Sequence, residues 1–210
     1  MKPQKPHPLP RKKKSRLHLV IGIQGGKGSF NEQAIRALCE KKKISDYEIV
    51  YCFTTKNVLK ALAEGKINRG LFAIQNSLSG MVLETINALS EYNCKILESF
   101  QLNISHALYT FPGVSMKEVD TILSHPVALG QCKKTLARKY PGKKLVSGTG
   151  KLIDQATAAK ALSLGKLPRT TAVLASSVCG EFYPLDIQAK NLRDRRDNFT
   201  TFLFVSRFER

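Results

Sequence analysis

A chain of 210 residues with 42% hydrophobic content has enough apolar material for a packed core, which excludes a fibrous or wholly disordered protein. Its formal charge of +18, from 34 Lys and Arg against 16 Asp and Glu, favours anionic partners in general, small dicarboxylates among them; nucleic acid is not expected, because no aromatic-basic platform or recognition motif accompanies the charge. No apolar run approaches the roughly 20 residues of a membrane-crossing helix, and five cysteines without a C-x-x-C pair support neither a disulfide framework nor a zinc knuckle.

Residues 1–16, "MKPQKPHPLPRKKKSR", hold seven of the Lys and Arg and no acid, and they lack apolar periodicity, so a solvated, disordered basic tail is expected. "LHLVIGI" follows; it lacks a cleavage site and reads as a first buried strand, which leaves a reducing cytoplasm as the expected setting. From Leu17 strands alternate with helices. "GGKGS" breaks the first strand, and "NEQAIRALCEKKK" has the spacing of an amphipathic helix. "YEIVYCF", "TKNVLKALAEG", "GLFAI" and "VLETINALSEY" read as strand, helix, strand and helix, with "QNSLSG" a polar turn between the last two. "CKILESFQLNISHALYTF" reads as one long β-rich stretch, and "VDTILS" as a strand. "HPVALGQCKKTLARKY" is a helix with Pro near its first turn, and "KKLVSG" a strand. "KLIDQATAAKALSLG" is a helix, "TTAVLAS" a strand, "SVCGEFY" a short helix, and "FTTFLFVSRF" a final strand. The alternation predicts an α/β fold with a largely parallel sheet in each of two lobes. Ligands of such sheets bind where strand ends meet helix N-termini, which suit carboxylates.

The chain lacks a P-loop lysine motif, a G-x-S-x-G elbow and an H-E-x-x-H pair. "GIQGGKGSF" lacks dinucleotide-binding spacing, and His7, His18, His106 and His125 form no ligand set, so neither metal nor cofactor is expected. His125, between Ser124 and Pro126, is expected to shape a helix start.

Four segments in order carry a resemblance. "GGKGSFNEQA" (25–34), "AIQNSLSG" (73–80), "SHPVALGQC" (124–132) and "DNFTTFLFV" (197–205) resemble the G-x-x-G-(T/S)-(Y/F)-S-x-x-A, P-I-E-N-S-x-x-G, S-H-P-Q-A-L-x-Q-C and N-x-T-R-F motifs of prephenate dehydratases. The resemblance spans residues 18–206. It implies two α/β lobes like those of type-2 periplasmic binding proteins, 17–98 plus 190–210 and 99–189, with the ligand cleft between them and the last strand returning to the first lobe. It implies loss of CO2 and the 4-hydroxyl from prephenate to give phenylpyruvate in phenylalanine biosynthesis, or the matching reaction of arogenate. Thr200 takes the leaving-group contact, while Ser29, Asn76, Ser77, Ser124 and Gln131 orient the substrate. A homodimer is a further family expectation. Because the chain stops eight residues after Phe202, the family's C-terminal ACT regulatory domain is expected to be absent.

Several positions depart from the pattern. Gln75 stands for the family Glu, Val127 for Gln, and Thr201 for the Arg whose fork would bind a carboxylate. Gln155 stands at a Thr position, with Thr149 an alternative carrier of that hydroxyl. Lys27 is the first candidate to replace the missing arginine, ahead of Arg193, Arg195 and Arg196; Lys27, Gln75 and Thr201 therefore join the expected substrate contacts. Two alternatives remain open on these departures: a prephenate decarboxylase that does not dehydrate, and a non-catalytic binder of small anions.

Overall fold

The structure, a computed structural model, describes residues 18–208, so the basic tail anticipated at 1–16 lies outside the described residues. Alternating apolar residues in β1 (Leu19–Gln24) and β3 (Arg69–Asn76) are covered on both faces, as central strands between helix layers require. These strands lie in a first sheet with β2 (Tyr47–Phe53), β5 (Cys94–Asn103), β11 (Phe199–Arg207) and the short β4 (Gly80–Met81). The order is β2-β1-β3-β11-β5, with β4 on β3. On one face, Ile21, Ile23, Leu71, Phe202 and Phe204 pack on α1 (Phe30–Lys41) through Ala34, Ile35, Leu38 and Cys39. On the other, Phe72, Leu203 and Val205 pack on Val58, Leu59 and Leu62 of α2 (Thr55–Ala63) and on Ala88 of α3 (Leu83–Glu91). The run "FLFV" at 202–205 thus supplies alternate residues to two half-cores.

The second sheet has the order β10-β6-β9-β7-β8 and comprises β6 (His106–Thr110), β7 (Thr121–Ser124), β8 (Lys144–Ser147), β9 (Thr171–Ser176) and β10 (Asp186–Leu192). Its helices are α4 (Pro126–Lys139), α5 (Gln155–Ser163) and α6 (Cys179–Phe182). The α/β architecture of two lobes with a cleft between them is as expected, but both sheets are mixed rather than largely parallel. β11 runs antiparallel to β3 and β5, and β6 runs antiparallel to β9 and β10.

Three local expectations change. The long stretch from Cys94 divides at Ile104–Ser105 into β5 and β6, which belong to different sheets. The helix expected from Lys151 is a 3-10 turn over Gly150–Ile153 and then α5, separated by Asp154 in extended backbone (φ −73°, ψ 120°). Asp154 caps α5 by accepting from Thr157 N, which explains why the helix begins there. β10 adds a strand over a stretch read as no element. The chain crosses between the sheets at Ile104–Ser105 and returns through 193–198; the positions 98/99 and 189/190 fall inside β5 and β10. Among the described residues no helix is long and apolar enough to cross a membrane.

Candidate active site

The glycine loop after β1 brings the lobes together. Gly28 has φ +89°, and a Cβ there would lie 3.0 Å from Cys179 Sγ of the second lobe. Glycine thus allows the contact in which Ser176 Oγ donates to Gly28 O, and Tyr183 OH donates to Lys27 O at 2.9 Å. Ser29 then caps α1, its hydroxyl accepting from Glu32 N.

At the other end of the seam lies a buried amide network whose polarity is set by the backbone. Leu78 N and Ser79 N donate to Asn76 Oδ1 at 3.0 and 3.1 Å, which fixes that amide's orientation. Asn76 Nδ2 must therefore donate, and its two N–H hydrogens are shared among Asn198 Oδ1 (2.8 Å), Thr200 Oγ1 (3.0 Å) and Phe199 O (3.1 Å). Gln131 of α4 gives Nε2 to Asn76 Oδ1 at 3.2 Å, so its Oε1 accepts from Asn198 Nδ2 at 3.0 Å. His106 Nε2 faces the same Gln131 Oε1 at 3.2 Å and must carry a proton, leaving Nδ1 as a lone pair. The Thr200 hydroxyl accepts a hydrogen bond from Asn76 and makes no other among the described residues, so its O–H is left for a partner in the cleft that Thr200 lines. His106, 2% exposed, has the Gln131 and Gln155 side chains as its polar neighbours. Burial pushes its pKa down to about 4, which keeps the ring neutral.

The cleft has two adjoining parts of about 340 and 460 Å³, which share Phe30, Asn31, Val82, His125 and Gln155. The smaller part holds Asn76, Gln131, Thr200 and His106. The larger holds Ser29, Thr54, Glu84 and Asp154. Neither part is lined by Lys or Arg. Two of the helix N-termini nearby already hold carboxylates. Glu84 accepts from Thr55 N and Lys56 N of α2, each at 3.2 Å, and Asp154 caps α5. Asn31 Oδ1 and Gln155 Oε1, both buried, lack partners. His125 caps α4 by accepting from Val127 N at 3.2 Å, as its place before Pro126 suggested, and its pKa is lowered by burial.

The residues anticipated from sequence divide accordingly. Asn76, Gln131 and Thr200 meet in one network, and Ser29 lines the larger part of the cleft. Ser77 is spent on the chain return: its Oγ donates to Asp197 O and accepts from Phe199 N, both at 2.9 Å. Ser124 is fully buried and donates to Leu174 O at 2.6 Å, away from the cleft lining. Gln75 and Thr201 face each other across the β3–β11 pair, and Thr201 Oγ1 accepts from Gln101 Nε2 at 3.4 Å; neither lines the cleft. Alternation along β11 turns residue 201 to the face opposite Thr200. Lys27 does not line the cleft either, its ammonium lying 4.6 Å over the Phe182 ring. Arg193 donates to Asn103 Oδ1, and Arg195 pairs with Asp197. With Lys134, Arg195 lines a separate hollow of about 480 Å³ that meets the cleft at Ser79, Val127 and Gln131. Gln155 lies in the cleft wall and Thr149 does not. Sequence reasoning gave no role to Asn198 or Asn31, and left His106 without one. The Asn of N-x-T-R-F was the available signal for Asn198; the partners of His106 come from another helix and could not be read locally.

The sequence profile of the family described as prephenate dehydratase matches residues 21–210. A relative from Arabidopsis thaliana, arogenate dehydratase/prephenate dehydratase 2, is 30% identical over 187 residues, covering 89% of this chain and 46% of the relative. Arogenate dehydratase 2 of Petunia hybrida is 29% identical, with 50% of its length covered, so the chain spans about half the length of these curated relatives. Among solved structures, a prephenate dehydratase from Arthrobacter aurescens in complex with L-Phe superposes with a TM-score of 0.81 at 23% identity, over 91% of this chain and 61% of that one.

Proposed function

Since the chain belongs to the prephenate dehydratase family, whose profile covers residues 21–210, we propose that it catalyses the decarboxylating dehydration of a cyclohexadienol acid, prephenate or arogenate. In this reaction the ring carboxylate leaves as CO2, and the electrons of its C–C bond enter the ring as the 4-hydroxyl departs. Aromatisation drives the step, so the protein has only to hold the substrate and stabilise charge on the departing oxygen. The observation that carries the reading is Thr200, which lines the cleft and whose hydroxyl oxygen accepts from Asn76 at 3.0 Å, leaving its O–H available to a substrate oxygen. A donor locked in place before the charge develops needs no reorganisation at the moment of reaction. Asn76 is itself polarised by three donors besides Gln131, two of them backbone N–H groups.

The substrate carboxylates are held by neutral donors in this account. Ser29 Oγ accepts from Glu32 N, which leaves its O–H to donate. The first-turn N–H groups of α1 point the same way, as helix geometry requires. Retention of the Thr200 donor in the cleft speaks against a decarboxylase that leaves the hydroxyl in place. The five free cysteines support a reducing, cytoplasmic setting; a homodimer, implied by the family resemblance, is tested by sedimentation.

Product analysis tests the function. Purified protein is incubated with prephenate or with arogenate at neutral pH, and CO2 and aromatic products are measured. Phenylpyruvate or phenylalanine, respectively, is expected. A decarboxylated product that keeps its hydroxyl, or unchanged substrates, would overturn the proposal.

A further inference from the structure

His106 is the first residue of β6, just past the point where the chain crosses into the second lobe, and it is paired in register with Ser176 of β9 and Leu192 of β10. Its ring packs edge-to-face with Phe30 of the first lobe, at a centroid distance of 5.2 Å and an interplanar angle of 86°. A polar ring that is 2% exposed is costly unless it is hydrogen-bonded. The bond made by His106 begins a chain in which every donor points the same way. Its Nε2–H donates to Gln131 Oε1 at 3.2 Å, Gln131 Nε2 donates to Asn76 Oδ1 at 3.2 Å, and Asn76 Nδ2 donates to Thr200 Oγ1 at 3.0 Å. The backbone dictates this direction. Leu78 N and Ser79 N can only donate, so Asn76 Oδ1 accepts, and Gln131 must turn its nitrogen to Asn76 and its carbonyl to the imidazole. Asn198 closes a loop of the same sense, accepting from Asn76 at 2.8 Å and donating to Gln131 at 3.0 Å. An amide that accepts at its oxygen becomes a stronger donor at its nitrogen, so successive bonds in such a chain reinforce one another. The last member, Thr200, lines the cleft.

Resting on the dehydratase reading, we propose that His106 is a positioning residue for the reaction: its Nε2–H starts a one-way donor chain through Gln131 and Asn76 that orients the Thr200 hydroxyl and strengthens it as a donor to the departing oxygen. His106 touches no substrate; it acts through two amides. Burial pushes its pKa down to about 4, so the ring stays neutral throughout the neutral pH range. The chain also crosses the seam, from β6 and α4 of the second lobe to β3 and β11 of the first. The donor is therefore complete only while the two lobes are together.

A double-mutant cycle with Thr200 tests this. His106→Phe keeps an aromatic ring beside Phe30 and removes the donor. It is expected to lower kcat by about fivefold to tenfold, the scale of one neutral hydrogen bond, and to change KM by less than about threefold. His106→Gln, whose side-chain N–H can stand in for Nε2–H, is expected to bring kcat back to within about threefold of the parent. In a Thr200→Val background His106→Phe is expected to cost less than about twofold in kcat, because the chain then has no hydroxyl to act on. A merely structural role predicts the same loss in both backgrounds; that result overturns the proposal, as does a His106→Phe protein with parental kcat. Nitrogen NMR of the imidazole in the parent protein depends on no variant folding. The Nε2–H tautomer is expected at neutral pH, and an Nδ1–H tautomer, which would set a lone pair against the Gln131 carbonyl, overturns the chain. An additive cycle in a protein that turns over its substrate removes this inference alone. Conversion of neither prephenate nor arogenate by the parent removes the dehydratase reading and this inference with it.

Discussion

Two adjacent threonines near the end of the chain have opposite fates. Thr200 shares a face of β11 with Phe202 and opens on the cleft, whereas Thr201 lies opposite Gln75 and beside Gln101 on the other face. The motif positions occupied by Gln75 and Thr201 carry Glu and Arg in the family pattern. Register makes them direct cross-strand partners, so Glu and Arg at these two positions would stand opposite each other, and this chain has a neutral pair instead. Neither residue lines the cleft. Thr201→Arg alone is accordingly expected to change kcat/KM by less than about threefold, since the added charge is peripheral. Paired with Gln75→Glu it should show a favourable coupling of about 0.5 kcal/mol in a double-mutant unfolding cycle. His106 makes a second residue-scale prediction. Its folded pKa of about 4 lies below the ordinary 6.5 because burial disfavours the cation. The unfolded chain therefore binds a proton that the native ring refuses, and this contribution to stability, complete above pH 6.5, is lost as pH falls toward 4. The slope from this group is at most about 1.4 kcal/mol per pH unit. Urea unfolding between those pH values should show the slope, and His106→Gln should reduce it without abolishing it, because His125 is shifted the same way.

At the scale of elements, β11 ties sequence-distant pieces together. It inserts between β3 and β5, and its approach delivers Asn198, fully buried, between Asn76 and Gln131. Asn198→Ala removes one of the two donors to the Gln131 carbonyl, leaving His106, and one of the acceptors of Asn76. A loss of about 1–2 kcal/mol in unfolding free energy is expected by denaturant titration, the scale of the lost hydrogen bonds. Strongly patterned elements were legible in the sequence: α1 from Ala34, Ile35, Leu38 and Cys39, and β11 from its alternating aromatics. β10 was not, because "DIQAKNL" is mostly exposed and polar, leaving only Leu192 buried to signal a strand. The break at Asp154 was hidden for a different reason. Apolar spacing continues through "KLIDQATAA", and only the capping contact to Thr157 shows where the helix begins. Site residues split along the same line. Thr200, Asn76 and Gln131, named from motifs, meet in one network on the cleft, whereas Ser77, Ser124 and Lys27, named from motifs or from charge, lie outside its lining, because side-chain direction depends on register and long-range partners.

For the whole molecule, the positive charge and the cleft are separate matters. The chain is strongly basic, yet the inner cavity has acids and neutral amides on its walls. The field of the surface can draw an anion in, while pairing inside decides which anion stays. The lobes close through the Gly28 contact at one end and the Asn76–Gln131 bond at the other. Gly28→Ala meets both a left-handed backbone and the 3.0 Å approach of Cys179 Sγ. It should destabilise the fold by about 1–3 kcal/mol and raise KM more than it lowers kcat, as chemical denaturation and steady-state kinetics would show. The proposed reaction puts one donor, Thr200, opposite the departing hydroxyl. The most direct measurement is turnover at saturating arogenate or prephenate for Thr200→Ser and Thr200→Val beside the parent. The Ser variant, which keeps the hydroxyl, should stay within about tenfold of the parent, while the Val variant should lose about 10²–10³ in kcat, the typical cost of removing one such donor. A Val variant that turns over at the parental rate would contradict the account at its centre.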